Sequence, residues 1–316
     1  MTVSPGPEGV WDLVVLGGGP AGLSCAIYAG RGRYSTLLLE RMMPGGQVVL
    51  NDIIENYPGF PEGLPGFELA DRMARQATRF GARIETGEVT GLAVSGRPFR
   101  VMLAGGQARL ARALRIATGS RPRRLGVPGE QEFLTRGVSY CATCDGPLFA
   151  DKPLMVVGGG DTAIEETLFL ANLASKVTVV HRRDQLRAQR ILQERALANP
   201  KIEFLWSHVL AEIVGGDEGV QAARVKHVAT GAEREVPVAG IFIAVGHTPH
   251  TDFLPPEVRR DDTGCVLTDA NLMTSVPGIF AAGDVRAGAY RQIAFSIGDG
   301  ALAYRGIFLY LEEQRP

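Results

Sequence analysis

Lysine is scarce in this chain of 316 residues, present only as Lys152, Lys176, Lys201 and Lys226, and neither sign of charge prevails. The 33 basic residues against 34 acidic ones leave a formal net charge of −1. Without a basic field there is nothing to hold a nucleic acid or an anionic membrane surface, so neither is expected as a partner. Long apolar runs are missing as well: none approaches the roughly 18 to 20 residues that span a bilayer. Met1 to Val10 lacks the basic and apolar regions of a signal peptide, and a cytoplasmic protein is expected. Cysteine is limited to Cys25, Cys141, Cys144 and Cys265. Four thiols cannot staple a chain this long, and in a reducing compartment the one close pair points to redox or metal chemistry.

What is plentiful is glycine, with 40 residues, and 45% of the chain is hydrophobic, enough for globular cores in about two domains. The glycines have no fixed period, so they mark turns and close backbone approaches, not a fibrous repeat. Two runs match position by position. Leu13 to Leu16 followed by Gly17-Gly18-Gly19-Pro20-Ala21-Gly22 resembles Leu154 to Val157 followed by Gly158-Gly159-Gly160-Asp161-Thr162-Ala163. Each run is a strand-length apolar stretch, a G-x-G-x-x-G/A turn and a helical pattern, through Leu23, Ala26 and Ile27 or through Ile164, Leu168 and Ala171. Second strands follow over Thr36 to Glu40 and Val177 to His181. A phosphate lies close to the backbone at such a turn, where free helix N–H groups and the helix dipole favour negative charge, and a side chain there would block it.

The end of each second strand separates the two ligands. Glu40 can accept from ribose hydroxyls and would repel a 2′-phosphate, so the first site suits FAD or NAD. At the same distance in the second copy stand His181, Arg182 and Arg183, with Arg187 beyond, and guanidinium groups suit the 2′-phosphate of NADP. The plainer reading of that stretch is a solvated helix start with an ion pair.

Between the copies, Met42 to Phe67 is rich in Pro and Gly and contains Gly45-Gly46-Gln47 and Glu55-Asn56-Tyr57, which reads as a ligand-facing loop. Phe67 to Phe80 has the pattern of an amphipathic helix through Phe67, Ala70, Met73, Ala74, Ala77 and Phe80. Alternating stretches from Arg83 to Leu110 predict antiparallel strands, and Leu114 to Gly119 a buried strand. Hinges are expected over Arg121 to Glu130 and near His247 to Leu254. The late strand Ile279 to Ala282 ends in Gly283-Asp284. A long helix then opens after Arg291-Gln292, through Ala294, Ile297, Ala301 and Leu309, and this end belongs with the first nucleotide site. The expected fold is α/β, two Rossmann-like three-layer dinucleotide-binding domains with one inserted in the other: 1–124 and 250–316 around the first nucleotide site, FAD or NAD, and 125–249 around the NADP site and the close cysteine pair.

Cys141-Ala142-Thr143-Cys144 has the spacing of a small disulfide ring, followed by Asp145-Gly146-Pro147. One C-x-x-C supplies only two of about four zinc ligands, Cys25 falls in the first helix and Cys265 on an unrelated strand, so redox chemistry is the better reading. Two dinucleotide sites give the dithiol an electron source, from NADPH through a flavin. Asp145 is the nearest candidate general acid; a helix cap or turn acid is its plainer role. His247 reads as a structural histidine before a catalytic one. Cys25 and Cys265 read as small apolar residues, while His208, His227 and His250 carry no pattern.

These motifs together, with Ala281-Ala282-Gly283-Asp284, resemble the low-molecular-weight thioredoxin reductases over nearly the whole chain. The resemblance implies a homodimeric enzyme that takes hydride from NADPH, passes electrons through one FAD per subunit and its C-x-x-C, and reduces thioredoxin or a thioredoxin-like protein. It implies catalytic roles for Cys141, Cys144 and Asp145, with Cys144 next to the flavin, and a rotation of the NADPH domain. It adds Arg41, Gly46, Gln47, Asn56, Val89, Thr118, Gly119, Arg291, Gln292 and Ile293 to the FAD site. The chain departs from the family at Tyr140, at Asp161 and in Ser296 to Gly300. Rival readings are a reductase of another dithiol protein or small disulfide, a ferredoxin- or oxygen-coupled relative, which would be expected to lose the arginines, and an NADP-binding redox sensor without turnover.

Overall fold

The computed structural model describes residues 4–6, 9–51 and 53–314. In chain order the strands of the first leg are β1 (Val10–Leu16), β2 (Thr36–Glu40), β3 (Arg83–Thr86), β4 (Val89–Ala93), β5 (Phe99–Leu103), β6 (Ala108–Ile116) and β7 (Ser120–Pro122), with helices α1 (Pro20–Arg31) and α2 (Gly66–Arg79). There follow β8 (Val138–Ser139), α3 (Ala142–Asp145), β9 (Pro153–Val157), α4 (Asp161–Leu173), β10 (Lys176–His181), α5 (Arg190–Ala198), β11 (Ile202–Trp206), β12 (His208–Gly216), β13 (Gly219–His227), β14 (Glu233–Pro237) and β15 (Gly240–Ile243). The chain ends with β16 (His247–Pro249), β17 (Ile279–Ala281) and α6 (Ile293–Glu313). It divides into two compact units, residues 1–121 with 248–316, and residues 122–247.

In the first unit β3, β2, β1, β6 and β17 run parallel, and β5 and β4 continue the sheet antiparallel beside β6. The β-strand period of two sorts β1 between two cores. Leu13 and Val15 enter the core with Leu23 and Ala26 of α1 and Ala303 and Ile307 of α6. Val14 and Leu16 enter the opposite core with Phe99, Val101, Leu114 and Val266. All four β1 side chains are fully buried, each stabilising the fold by roughly 1.5–3 kcal/mol. Near the crossings the chain is pinned within this unit, with Thr118 Oγ1 donating to the His250 carbonyl at 2.7 Å and the His250 amide to the Gly119 carbonyl at 3.0 Å.

The second unit repeats the plan with an all-parallel sheet, β11-β10-β9-β15-β8. Leu154 and Val156 pack with Ala163 and Leu170 of α4, whereas Met155 and Val157 pack with the antiparallel β12-β13-β14 meander through Leu210, Ala223 and Val225.

Several sequence expectations change in detail. Strand β3 pairs parallel with β2, because it follows a crossover through α2 and not a hairpin. Phe67 is 58% exposed, and Leu69 takes its place on the buried face of α2 with Ala70, Met73 and Ala77. In α6 the buried face runs through Ser296, Asp299, Gly300, Ala303, Gly306, Ile307 and Leu311, whereas Ala294 and Leu309 are exposed. Close packing of α6 on α1 decides this. A Cβ on Gly300 would stand 2.5 Å from that of Ser24, so the two helices approach too closely there for any side chain at 300. Cys265 precedes an isolated bridge at Val266 and lies in no strand.

Candidate functional site

Three sites emerge, two in the glycine turns and one at the cysteine pair. In the first, Gly17 holds φ +104°, and a Cβ there would lie 2.4 Å from the Ala117 carbonyl oxygen. Only glycine turns the chain here from β1 into α1. A Cβ on Gly22 would lie 2.0 Å from the Gly17 carbonyl oxygen, so the third glycine admits the turn against the helix. At Gly19 nothing among the described residues lies within 4 Å of such a Cβ, and Pro20 opens α1 without a side-chain cap, leaving the entrance open to an anion. Ala21 completes the first turn of α1 and is buried.

Glu40, at the end of β2, accepts from the Gly18 amide at 2.7 Å with Oε2 and from the Met42 amide at 3.3 Å with Oε1, while Arg41 beside it is exposed. Gly45 donates to the Gly18 carbonyl at 2.7 Å, which brings Gly46 over Gly19, and Gln47 Nε2 donates to the Ser120 carbonyl. On the other side of the turn, a Cβ on Gly283 would stand 2.9 Å from that of Ala21. Ser296 of α6 donates to Asp284 at 3.4 Å, and Gln292, the residue before Ile293, accepts from Asn56 Nδ2 at 3.2 Å. Burial pushes the Asp284 carboxyl above the usual carboxylate range, opposed by Arg291 and Ser296. Arg291 Nε is sealed from solvent without a hydrogen-bond partner among the described residues. An open glycine cradle, a helix entrance and a buried guanidinium N–H together fit a dinucleotide pyrophosphate. Thr118 and Gly119 bound this region at the end of β6, while Val89 begins β4.

The second turn repeats the device. Gly158 has φ +156°, and nothing stands within 4 Å of a Cβ on Gly160, at the start of α4. Asp161 Oδ1 accepts from the Gln189 amide at 2.6 Å; Thr162 is exposed and Ala163 buried. A Cβ on Gly159 would meet the His181 ring at 2.4 Å, so the imidazole lies under the turn, 6% exposed, with no hydrogen-bond partner for Nε2 among the described residues. Burial is the main cause holding the His181 ring below its ordinary pKa; Gln185 opposes it, and Arg187, Arg183 and Arg182 reinforce it. The three guanidinium side chains are exposed, and the Arg187 amide donates to the Gly159 carbonyl at 2.7 Å. The stretch is a loop, not a helix start; α5 begins at Arg190, and the nearby ion pair joins Arg190 to Glu194.

The third site is a disulfide between Cys141 and Cys144, with Cα atoms 5.4 Å apart. Cys141 is half-buried at the entrance to α3 and Cys144 is exposed. The Asp145 amide donates to the Cys141 carbonyl at 3.1 Å and the Cys141 amide to Ser139 Oγ at 3.0 Å. Ser139 in turn donates to Asp145 Oδ2 at 2.6 Å. Tyr140 donates to Glu130 at 2.7 Å, and burial raises its phenol pKa. Asp145 makes no side-chain cap bond to the short helical turn over Gly146–Phe149 that follows it.

Sequence reasoning missed the supports. Asp299 accepts from the Gly283 amide at 3.0 Å and pairs with Arg286 at 2.6 Å, fixing the turn before Asp284. Arg115 is fully buried in β6 with Nε and Nη1 unpartnered among the described residues, its pKa lowered by burial and supported by Cys25 and Asp299. Cys25 and Cys265 are free and buried. His208 and His227 meet edge to face, ring centroids 5.0 Å apart, across the β12-β13 pair. No spacing rule flags contacts made between distant elements.

Residues 11–300 match the family model of the pyridine nucleotide-disulphide oxidoreductases. A thioredoxin reductase of Listeria monocytogenes is 46% identical over 306 residues, 97% of this chain and 95% of that protein. That of Treponema pallidum is 45% identical over 302 residues, 96% and 97% of the two chains. Among solved structures, the thioredoxin reductase of Streptococcus pyogenes superposes with a TM-score of 0.90 at 44% identity, covering 97% of this chain and 99% of that one. The chain belongs to the pyridine nucleotide-disulphide oxidoreductases.

Proposed function

We propose that the protein is an NADPH-dependent thioredoxin reductase, carrying electrons through FAD and the Cys141–Cys144 disulfide to thioredoxin or a thioredoxin-like protein. The observation that carries the reading is the disulfide itself, on a chain with two glycine cradles of different charge. Bound FAD supplies the two-electron relay between the nicotinamide and the disulfide.

This chain's residues do the rest. Gly17 to Gly22 and the entrance of α6 at Ile293 bind the FAD pyrophosphate, Glu40 the adenosine ribose, and Asp284 and Arg291 the remaining polar groups. Gly158 to Ala163 bind the NADPH pyrophosphate, and Arg182, Arg183 and Arg187 the 2′-phosphate. The exposed Cys144 and half-buried Cys141 open as thiols, and Asp145, oriented by Ser139, moves the proton that a leaving thiolate needs. The arginines favour this reading over a ferredoxin- or oxygen-coupled one, and the disulfide favours it over a nucleotide sensor.

A homodimer working in the cytoplasm completes the proposal. Phe295, Leu302 and Leu309 repeat every seven residues along α6 and are 40–42% exposed, an apolar stripe of the sort a second copy covers. Consumption of NADPH with thioredoxin, glutathione disulfide and peroxide as alternative acceptors tests the activity. Turnover confined to thioredoxin supports it; turnover only with another acceptor overturns the substrate assignment.

A further inference from the structure

Arg115 of β6 stands in register with Val15 of β1 and Phe280 of β17. Those two side chains enter the core beneath α1 and α6, and the shared register sends the Arg115 side chain to the same side of the sheet. It is fully buried there, and a guanidinium keeps its charge in a protein interior. Nη2 donates to the Ala21 carbonyl at 3.4 Å, in the first turn of α1. Nε and Nη1 are sealed from solvent with no hydrogen-bond partner among the described residues. Helix α6 closes on the same place, since a Cβ on Gly300 would stand 2.7 Å from that Ala21 oxygen.

Among the described residues no carboxylate bonds to this guanidinium. Asp299, whose charge reaches Arg115, is committed elsewhere: Oδ2 accepts from the Gly283 amide at 3.0 Å and from Arg286 Nε at 2.6 Å, and Oδ1 from Arg286 Nη2 at 2.9 Å. Burial pushes the Cys25 thiol up, so it brings no thiolate at neutral pH. A charge buried without a counterion costs stability, and the N-terminal end of α1 adds positive partial charge of its own.

We propose that Arg115 is a buried charge held for the FAD pyrophosphate: it strengthens the attraction of the α1 entrance for that dianion, and it destabilises the fold until the dianion binds. The inference rests on the reading of the Gly17 to Gly22 turn as the FAD pyrophosphate site. Arg115 meets the turn from the core side, where Ala21 is buried, whereas the entrance at Gly19 is open, so it acts by its field and not by contact. Within the protein that field is weakly screened. An anion that compensates the charge in the native state alone stabilises that state, and one side chain thereby links cofactor binding to folding.

Arg115→Met keeps the length and the packing without the charge, and Arg115→Gln also keeps an N–H for the Ala21 carbonyl. Calorimetry of the FAD-free proteins and fluorescence titration with FAD read the two effects separately. FAD-free Arg115→Met should melt at least about 2 °C above the wild type, because an uncompensated buried charge is gone. Its Kd for FAD should rise at least about tenfold, the scale on which one weakly screened charge acts on a dianion, and that of Arg115→Gln should rise alike. The opposite signs set charge apart from packing, since a merely structural Arg115 would lose Tm and FAD affinity together. An FAD-free Arg115→Met protein that melts no higher than the wild type or fails to fold, or an unchanged Kd in either variant, overturns the inference. A wild type that takes up no FAD overturns the cofactor site and the inference with it. Opposite shifts of Tm and affinity in a protein that fails to reduce thioredoxin sustain the inference and sink the proposed substrate.

Discussion

The hydroxyl of Ser139 donates to Oδ2 of Asp145 at 2.6 Å, across the segment that carries both reactive cysteines. The same Ser139 oxygen accepts the Cys141 amide at 3.0 Å, so one short side chain ties the acid to the start of the dithiol turn. General acid-base assistance is worth about 10²- to 10⁴-fold, and Asp145→Asn should slow disulfide-linked steps by that order. Ser139→Ala should slow them less, by misorienting the acid without removing it. Stopped-flow bleaching by NADPH should be nearly unchanged in both variants. Intact thioredoxin turnover in Asp145→Asn across pH 6 to 9 would leave Asp145 a turn residue only.

Gly17 and Gly19 separate folding from cofactor binding. Gly17→Ala places a side chain at φ +104° against the Ala117 carbonyl, and strain of this sort costs of order 1–3 kcal/mol, with about 2–4 °C of Tm lost per kcal/mol. Gly19 has φ −72° and open space around it, so Gly19→Ala should leave the Tm of the FAD-free protein unchanged. The methyl group then stands where the pyrophosphate would lie, and FAD affinity should fall. Differential scanning calorimetry of the FAD-free proteins with fluorescence titration of FAD measures both. Unchanged FAD affinity in Gly19→Ala would move the pyrophosphate away from this turn.

Arg182 and Arg183 give the coenzyme preference. Charge-assisted hydrogen bonds contribute roughly 1.5–3 kcal/mol each, so replacing both with neutral residues should raise the KM for NADPH at least about tenfold. The KM for NADH should hardly move, narrowing the gap between the two. Equal efficiency with both coenzymes in the unaltered enzyme would contradict the assignment.

How far the sequence revealed this arrangement depends on the distance over which each feature is encoded. The turns at Gly17 and Gly158 are written in consecutive residues, and the strands around them in alternating apolar ones, so the repeat was legible. Glu40 and His181 were legible from their register after each turn. The roles they take in the structure were not: Glu40 holds an amide of its own turn, and His181 packs under its own. The apolar pattern marks α6 as a helix without saying which side is buried, because apolar residues such as Phe295, Leu302 and Leu309 lie on its exposed side as well. Asp299 escaped notice because it acts on the backbone amide of Gly283, 16 residues away, and no periodicity records such a contact.

His181 predicts a pH dependence of stability. Its folded pKa lies below the ordinary value of about 6.5, so below that pH the unfolded chain binds a proton that the native ring refuses. Stability is therefore full above pH 6.5 and declines as the pH drops toward the folded pKa. Thermal melts of the wild type should lose more Tm between pH 7.5 and 5.5 than those of His181→Gln. Parallel losses in the two proteins would show that the imidazole is not a buried neutral group.

Counting electrons in the FAD-loaded protein tests the relay most directly. In an anaerobic dithionite titration the wild type should take up about four electrons per chain, two in the flavin and two in the Cys141–Cys144 disulfide. Cys141→Ser and Cys144→Ser should each take up about two, remain bleachable by NADPH and fail to reduce thioredoxin. An uptake of about two electrons in the wild type, or near-normal thioredoxin turnover in either serine variant, would contradict the account.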